Sequence, residues 1–157
     1  MMPVKLYLPF LAFAAEFLLS RGGFPEWFVF PFEYGLLLWF VLANIKGRGS
    51  WPYWIGAGTI LNFAVISANG FYMPVWPSFF ADSGKSELIE ALLNGDIFGY
   101  TVVDAGTRLP FLADVVGFSF YGDLIGFASI GDLLLLVGAC ILLYKVIRYN
   151  LLHKPTK

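Results

Sequence analysis

IGFASIGDLLLLVGACILLYKVI, residues 125–147, decides the class of this chain. From Leu133 onward it carries no charge until Lys145, and Arg148 follows directly. Crossing the hydrocarbon core of a bilayer takes about 20 predominantly apolar residues, so this stretch reads as a membrane-spanning helix with Asp132 near its start. The remainder agrees. Of 157 residues, 59% are hydrophobic and 13% charged, with a mean hydropathy of +0.74; soluble domains carry about 25% charged residues. That length accommodates about four spans and one long loop in a single domain, residues 1–157. The net charge of -1 offers nothing to nucleic acid, and the lone cysteine, Cys140, excludes a disulfide framework and a cysteine-based metal site.

Working outward, the spacing predicts helices over about 6–20, 27–45, 51–68 and 125–147. The first is apolar except for Glu16 and ends at Arg21-Gly22-Gly23; it reads as a retained helix rather than a cleaved signal peptide. The second has Pro31 near its start, placed here in its first turn, and Trp27 and Trp39 as interfacial anchors. A short basic linker, Lys46-Gly47-Arg48-Gly49-Ser50, makes it an antiparallel hairpin with the third, which opens at Trp51-Pro52. Residues 69–124 form a long acidic outer loop. Within it, Ser86–Leu93 has a serine cap and helically spaced leucines, the pattern of a short amphipathic surface helix. The apolar stretch Leu109–Phe127 is interrupted by Asp114, Gly117, Gly122 and Asp123, which suits a re-entrant or interfacial segment better than a span.

Basic residues fix the orientation, because short cytoplasmic loops retain lysine and arginine. With both termini inside, Lys5, Lys46, Arg48, Lys145, Arg148, Lys154 and Lys157 are cytoplasmic, and Arg21, Lys85 and Arg108 lie outside. The fold class expected is therefore an all-α integral membrane protein, four transmembrane helices, N-in and C-in, multi-pass in a bacterial inner membrane.

An ionisable side chain near the centre of a span costs on the order of 2.5–3.5 kcal/mol on insertion scales, so each is a functional candidate. Glu16 and Glu33 stand close enough to helix ends to be read as solvated interfacial groups. Asp132 admits two readings, a helix N-cap at the positive end of the dipole and a functional carboxylate. Asn62, in Leu61-Asn62-Phe63, must hydrogen-bond another helix or a ligand. The turn Asn69-Gly70 reverses the chain and can also line a site. His153, in the basic tail, supplies no haem or chlorophyll ligand within the bundle. Walker, Rossmann and zinc-binding His-Glu motifs are missing, so no cofactor or metal is expected.

Two resemblances follow. Ser20-Arg21-Gly22-Gly23, Leu61–Ile66 with Asn69-Gly70 and Met73-Pro74-Val75, Thr107–Asp114, and Ser129–Asp132 with Gly138 together resemble a family of small bacterial membrane proteins known as a domain of unknown function. Tyr72 and Ala113 depart from its usual basic residue and glycine. The stretch Asp114 to Gly138 is also similar in spacing to the last third of lipoprotein signal peptidases, four-helix aspartyl enzymes with both termini inside. Asp114, Asp132 and Gly138 fall on that family's two aspartates and its glycine, and Asn62 on the asparagine of its third helix. The downstream Asp-Arg pair is replaced by Val65 and Ile66, Ser129 replaces an asparagine, and the first-loop Asp-x-x-Thr-Lys motif is missing.

Two function classes are open. In one, Asp114 and Asp132 form a catalytic dyad of an aspartyl hydrolase-like or lipid-handling enzyme, with Asn62, Asn69 and Arg108 as binding residues, Arg108 near an anionic headgroup. A lipid or lipoprotein would be the substrate. In the other, the chain is a non-catalytic scaffold or accessory subunit of a larger membrane complex.

Overall fold

The computed structural model describes residues 4–76, 86–120 and 123–152; Asp82, Lys85, His153, Lys154 and Lys157 lie outside them. Four long helices, α1 (Tyr7–Arg21), α2 (Glu26–Asn44), α3 (Trp51–Ala68) and α5 (Ile130–Leu152), pack in chain order, α1 on α2, α2 on α3 and α3 on α5. Between α3 and α5 lie β1 (Met73–Val75), α4 (Ser86–Leu93), β2 (Tyr100–Val102), a single 3-10 turn at Pro110–Leu112, β3 (Val116–Phe120) and β4 (Asp123–Ala128).

Local chemistry sets the helix ends. The Gly22 N–H donates to Leu18 O at 2.9 Å and Gly23 takes a φ of 76°, a left-handed value that glycine adopts without strain, so α1 stops there. Pro25 caps α2, and Pro31 sits inside that helix rather than in its first turn. Lacking an N–H, Pro31 leaves the Trp27 carbonyl without its intrahelical partner. At the other end of the bundle, Lys145 Nζ donates to Arg48 O at 2.7 Å, tying α5 to the loop between α2 and α3.

All four helices share one apolar core. Leu8 and Ala12 of α1, Leu36, Leu37, Phe40 and Val41 of α2, and Trp51 and Ile55 of α3 are buried together, with Leu135, Ile141 and Leu142 of α5 packed against them. Glycines bring α3 and α5 closest. A Cβ at Gly58 would overlap the Gly131 carbonyl oxygen and lie 2.9 Å from Leu135 N; one at Gly138 would lie 2.9 Å from Ile55 N and 3.0 Å from Trp51 O. Small residues are the means by which membrane helices bring their backbones together.

The insert is more structured than a loop. β1 and β2 pair in parallel with Met73 opposite Tyr100, α4 lying in the crossover between them, while β3 and β4 form an antiparallel ribbon with a bulge between Phe118 and Ser119. Two corrections follow. The protein is mostly helical with two small sheets rather than all-α, and the stretch Leu109–Phe127 contains a 3-10 turn followed by strands of the ribbon. The last helix starts at Ile130 rather than Ile125, because Gly126, Phe127 and Ala128 pair with β3, Ile125 falls at the bulge, and Ser129 then caps the helix.

Helices α2 and α5 are long and apolar enough to cross a membrane. In α5 the apolar window has a mean hydropathy of 2.2, yet only 11% of it is buried in the protein. Large apolar side chains are also exposed along α1, including Phe10, Leu11, Phe17 and Leu18.

Backbone contact between α3 and α5 makes Gly138 sensitive to a single methyl group. Gly138→Ala is expected to lower thermal stability in detergent by about 1–3 kcal/mol through overpacking. Gly35→Ala, whose Cβ meets nothing within 4 Å, should be neutral or stabilising, and melting curves of the two variants compare them directly.

Candidate functional site

Ser129-Ile130-Gly131-Asp132 carries the spacing of a capping box, and the structure forms one. The Asp132 N–H donates to Ser129 Oγ at 3.0 Å, and the Asp132 carboxylate accepts the Ser129 N–H at 2.9 Å on Oδ2. This fixes the Asp132 side chain at the head of α5. Asn62 of α3 completes the arrangement, its Nδ2 donating to Asp132 Oδ1 at 2.7 Å. The Ser129 hydroxyl has one proton and two acceptors in reach, Asn62 Oδ1 at 2.8 Å and Asp132 Oδ2 at 2.9 Å. Asn62 therefore does bond another helix, and Asp132 does cap its own. Neither role exhausts the carboxylate: with about four acceptor positions and at most three donors on it, at least one lone pair is left over. Gly131 permits the contact, since a Cβ there would overlap Asn62 Oδ1.

Asp114 reaches the same place from the insert. Its N–H donates to Pro74 O at 2.9 Å and its carbonyl accepts from Trp76 N at 3.2 Å, so residue 114 pairs beside β1 on the edge away from β2. Leu109, in the left-handed region with φ 53°, and the 3-10 turn that follows bring the chain back to this edge. The Asp114 side chain is only 3% exposed, and its Oδ1 has no hydrogen-bond partner. Burial, reinforced by the neighbouring Asp132 charge, pushes its carboxyl up to about 7.

Both aspartates line one cavity of about 300 Å³, together with Asn62, Glu16 of α1 and Glu33 of α2. Its walls are aromatic: Phe13, Phe30, Tyr34, Phe98, Tyr100 and Phe127, with Ile66, Met73 and Gly99 completing them. Phe30 lies between Phe98, to which it is tilted, and Tyr34, which it meets edge-on, at centroid distances of 5.9 and 6.4 Å, and Gly99 lies so close to the Phe30 ring that a Cβ there would collide with it. Among the described residues no lysine, arginine or histidine lines the cavity, although four carboxyl groups do.

The sequence reading is thus only partly reflected in the site. Asp114, Asp132 and Asn62 do converge. Asn69 and Arg108 do not line the cavity. The Asn69 amide instead staples two backbones, donating to Val65 O and Arg108 O at 2.7 and 2.8 Å and accepting from Arg108 N at 2.8 Å. The Arg108 side chain is exposed. Glu16 and Glu33, read as interfacial groups, face the cavity, and Glu33 is 7% exposed. Their presence within apolar helices was the signal that marked them. Tyr34 and Tyr100 gave no signal in the sequence.

A family described as a family of unknown function (DUF5317) matches residues 2–144. The chain belongs to it. Every residue that lines the cavity falls within the stretch matched to DUF5317. No curated protein and no solved structure matches the chain.

Asp114 should leave a signature in stability. Its folded carboxyl titrates near 7 and its unfolded one near 3.8, so between these values the folded protein holds a proton that the unfolded chain has released. That contribution is complete below about 3.8 and lost as pH rises through about 7. Asp114→Asn is expected to be more stable than the natural protein at pH 8, by about 2–4 kcal/mol from a shift of this size, with the difference closing toward pH 4. Melting temperatures in detergent across that range provide the check.

Proposed function

We propose that this chain is a multi-pass protein of the bacterial cytoplasmic membrane. Four helices cross with both termini inside, and the cavity, at the outer ends of the helices, is an acid–base site of aspartyl-hydrolase type. The convergence of Asp114 and Asp132, from the insert and from α5, on one cavity with no neutralising base among the described residues carries the reading. Support for the membrane comes from α5, whose apolar surface is left uncovered by the rest of the protein; in water such a helix would be driven inside. The seven basic residues assigned to the inner face, against three outside, support the orientation.

Aspartyl hydrolysis requires one carboxyl that gives a proton and one that takes it, and environments that push two titrations apart mark such a pair. Asp114, buried and facing the Asp132 charge, is the proton donor. Asp132, held by Asn62 and Ser129 with a lone pair to spare, is the base. In the step proposed, a water bound to Asp132 loses a proton to that carboxylate as its oxygen bonds to an acyl carbon. The bond from that carbon to the leaving group breaks with its electron pair, and Asp114 protonates the leaving atom. Asp132 ends protonated and Asp114 ionised, and transfer of that proton through water restores both. The insert packs across the outer ends of α2 and α3 through Phe30, Tyr34, Val65, Ile66, Met73 and Leu112.

The test is hydrolysis in oxygen-18 water. Protein reconstituted into vesicles of bacterial lipid extract with acylated peptides is expected to release products carrying the label. Asp132→Asn and Asp114→Asn should each reduce release by at least about 100-fold while remaining folded, as expected for loss of a general acid or base. Absence of label from the natural protein, or its persistence in both variants, would contradict the proposal.

A further inference from the structure

The cavity is built to receive a cation. Four carboxyl groups line it and no lysine, arginine or histidine does among the described residues, so none of these side chains offers positive charge to an anionic ligand. Acidic character alone does not define a site. The second observation is Asp114: its side chain is 97% buried, taken from its 3% exposure, lines the cavity, and carries an Oδ1 with no hydrogen-bond partner. An acceptor buried without a donor is destabilising by roughly 1–3 kcal/mol, which a ligand carrying N–H or O–H groups would relieve.

The type of cation follows from the walls. Among the described residues no group of three or more histidine, cysteine, aspartate or glutamate side chains is placed to hold a metal ion. Phe98, Phe30 and Tyr34 instead line the same cavity as the carboxyls in consecutive ring contact, Phe30 tilted to Phe98 and edge-on to Tyr34. Carboxylate and aromatic face together are the recognition chemistry of an organic ammonium, through ion pairing and cation–π attraction. A quaternary ammonium would leave the free Asp114 acceptor unmet, whereas a primary ammonium brings three N–H donors, as in lysine. About 300 Å³ is at the small end of ligand cavities, the size of a headgroup rather than of a whole lipid.

We infer that this cavity binds the primary ammonium group of its ligand, with Glu16 and Glu33 supplying charge, a ring of the Phe98, Phe30 and Tyr34 wall supplying cation–π contact, and Asp114 Oδ1 accepting an N–H. The inference rests on the acid–base reading above for the chemistry that follows binding, but binding itself is read separately. An amine-bearing lipid headgroup and a small soluble amine present the same chemistry.

Native mass spectrometry on the full chain in nanodiscs of equal phosphatidylethanolamine, phosphatidylcholine and phosphatidylglycerol distinguishes the lipid source. Thermal shift with ethanolamine and tetramethylammonium, each as its chloride, distinguishes the soluble one. Phosphatidylethanolamine is expected to be retained about tenfold over the other two lipids, or ethanolamine to stabilise the protein where tetramethylammonium does not. Either outcome supports the inference. In both assays Glu33→Gln should weaken the preference about tenfold, the loss of one charge-assisted contact, and Glu16→Gln gives the same readout should Glu33→Gln fail to fold. Equal retention of all three lipids with no ethanolamine shift overturns the inference, as does preference for phosphatidylglycerol or phosphatidylcholine. If ammonium binding fails while oxygen-18 incorporation persists, the acid–base reading stands without it. Binding without incorporation has the opposite meaning.

Discussion

Contact between the backbones of α3 and α5 is the constraint on which the site depends. Gly58, Gly131 and Gly138 remove the side chains that would hold the two helices apart, and in doing so press Asn62 against the first turn of α5. Close backbone approach and an interhelical hydrogen bond set which faces of the two helices meet. Here both act at one point. The Asn62 amide satisfies the Asp132 carboxylate, Ser129 closes the capping box, and the head of α5 is held in register with the middle of α3.

The insert builds on that platform. Its central strand, β1, follows the turn at Asn69-Gly70 and is paired on one edge by β2 and on the other by the backbone of Asp114. Asn69, which holds Arg108 by both backbone groups, fixes where the returning chain arrives. A carboxyl that is distant in sequence is thereby placed over the helix bundle with one oxygen unpartnered. Bundle and insert are separate structural solutions that meet at the cavity, and the acids contributed by α1 and α2 make its character uniform.

The helices were legible because hydropathy alone specifies them: an apolar run bounded by glycine, proline or basic residues has few alternatives in a bilayer. Ser86–Leu93 was legible for the same reason, its leucines recurring at helical spacing. The strands were not. Met73–Val75 and Tyr100–Val102 are three residues each and exist only because they pair across α4, an interaction that leaves no local period. The start of α5 was not legible because Ile125–Ala128 is apolar enough to continue a helix, and only the pairing of Gly126, Phe127 and Ala128 with β3 makes this stretch a strand. Within the site, Asp132 and Asn62 were visible as polar groups in apolar runs. Glu16 and Glu33 showed the same signal, but no local feature indicated that acids from three helices and the insert face one space.

The central claim is that Asp114 and Asp132 share that space closely enough for the Asp132 charge to add to burial in holding the Asp114 proton. Isotope-edited infrared titration of the Asp114 carboxyl, in the natural protein and in Asp132→Asn, measures this directly. The account expects a midpoint near pH 7 in the natural protein and a lower one once the neighbouring charge is removed. An unchanged midpoint in Asp132→Asn would contradict it.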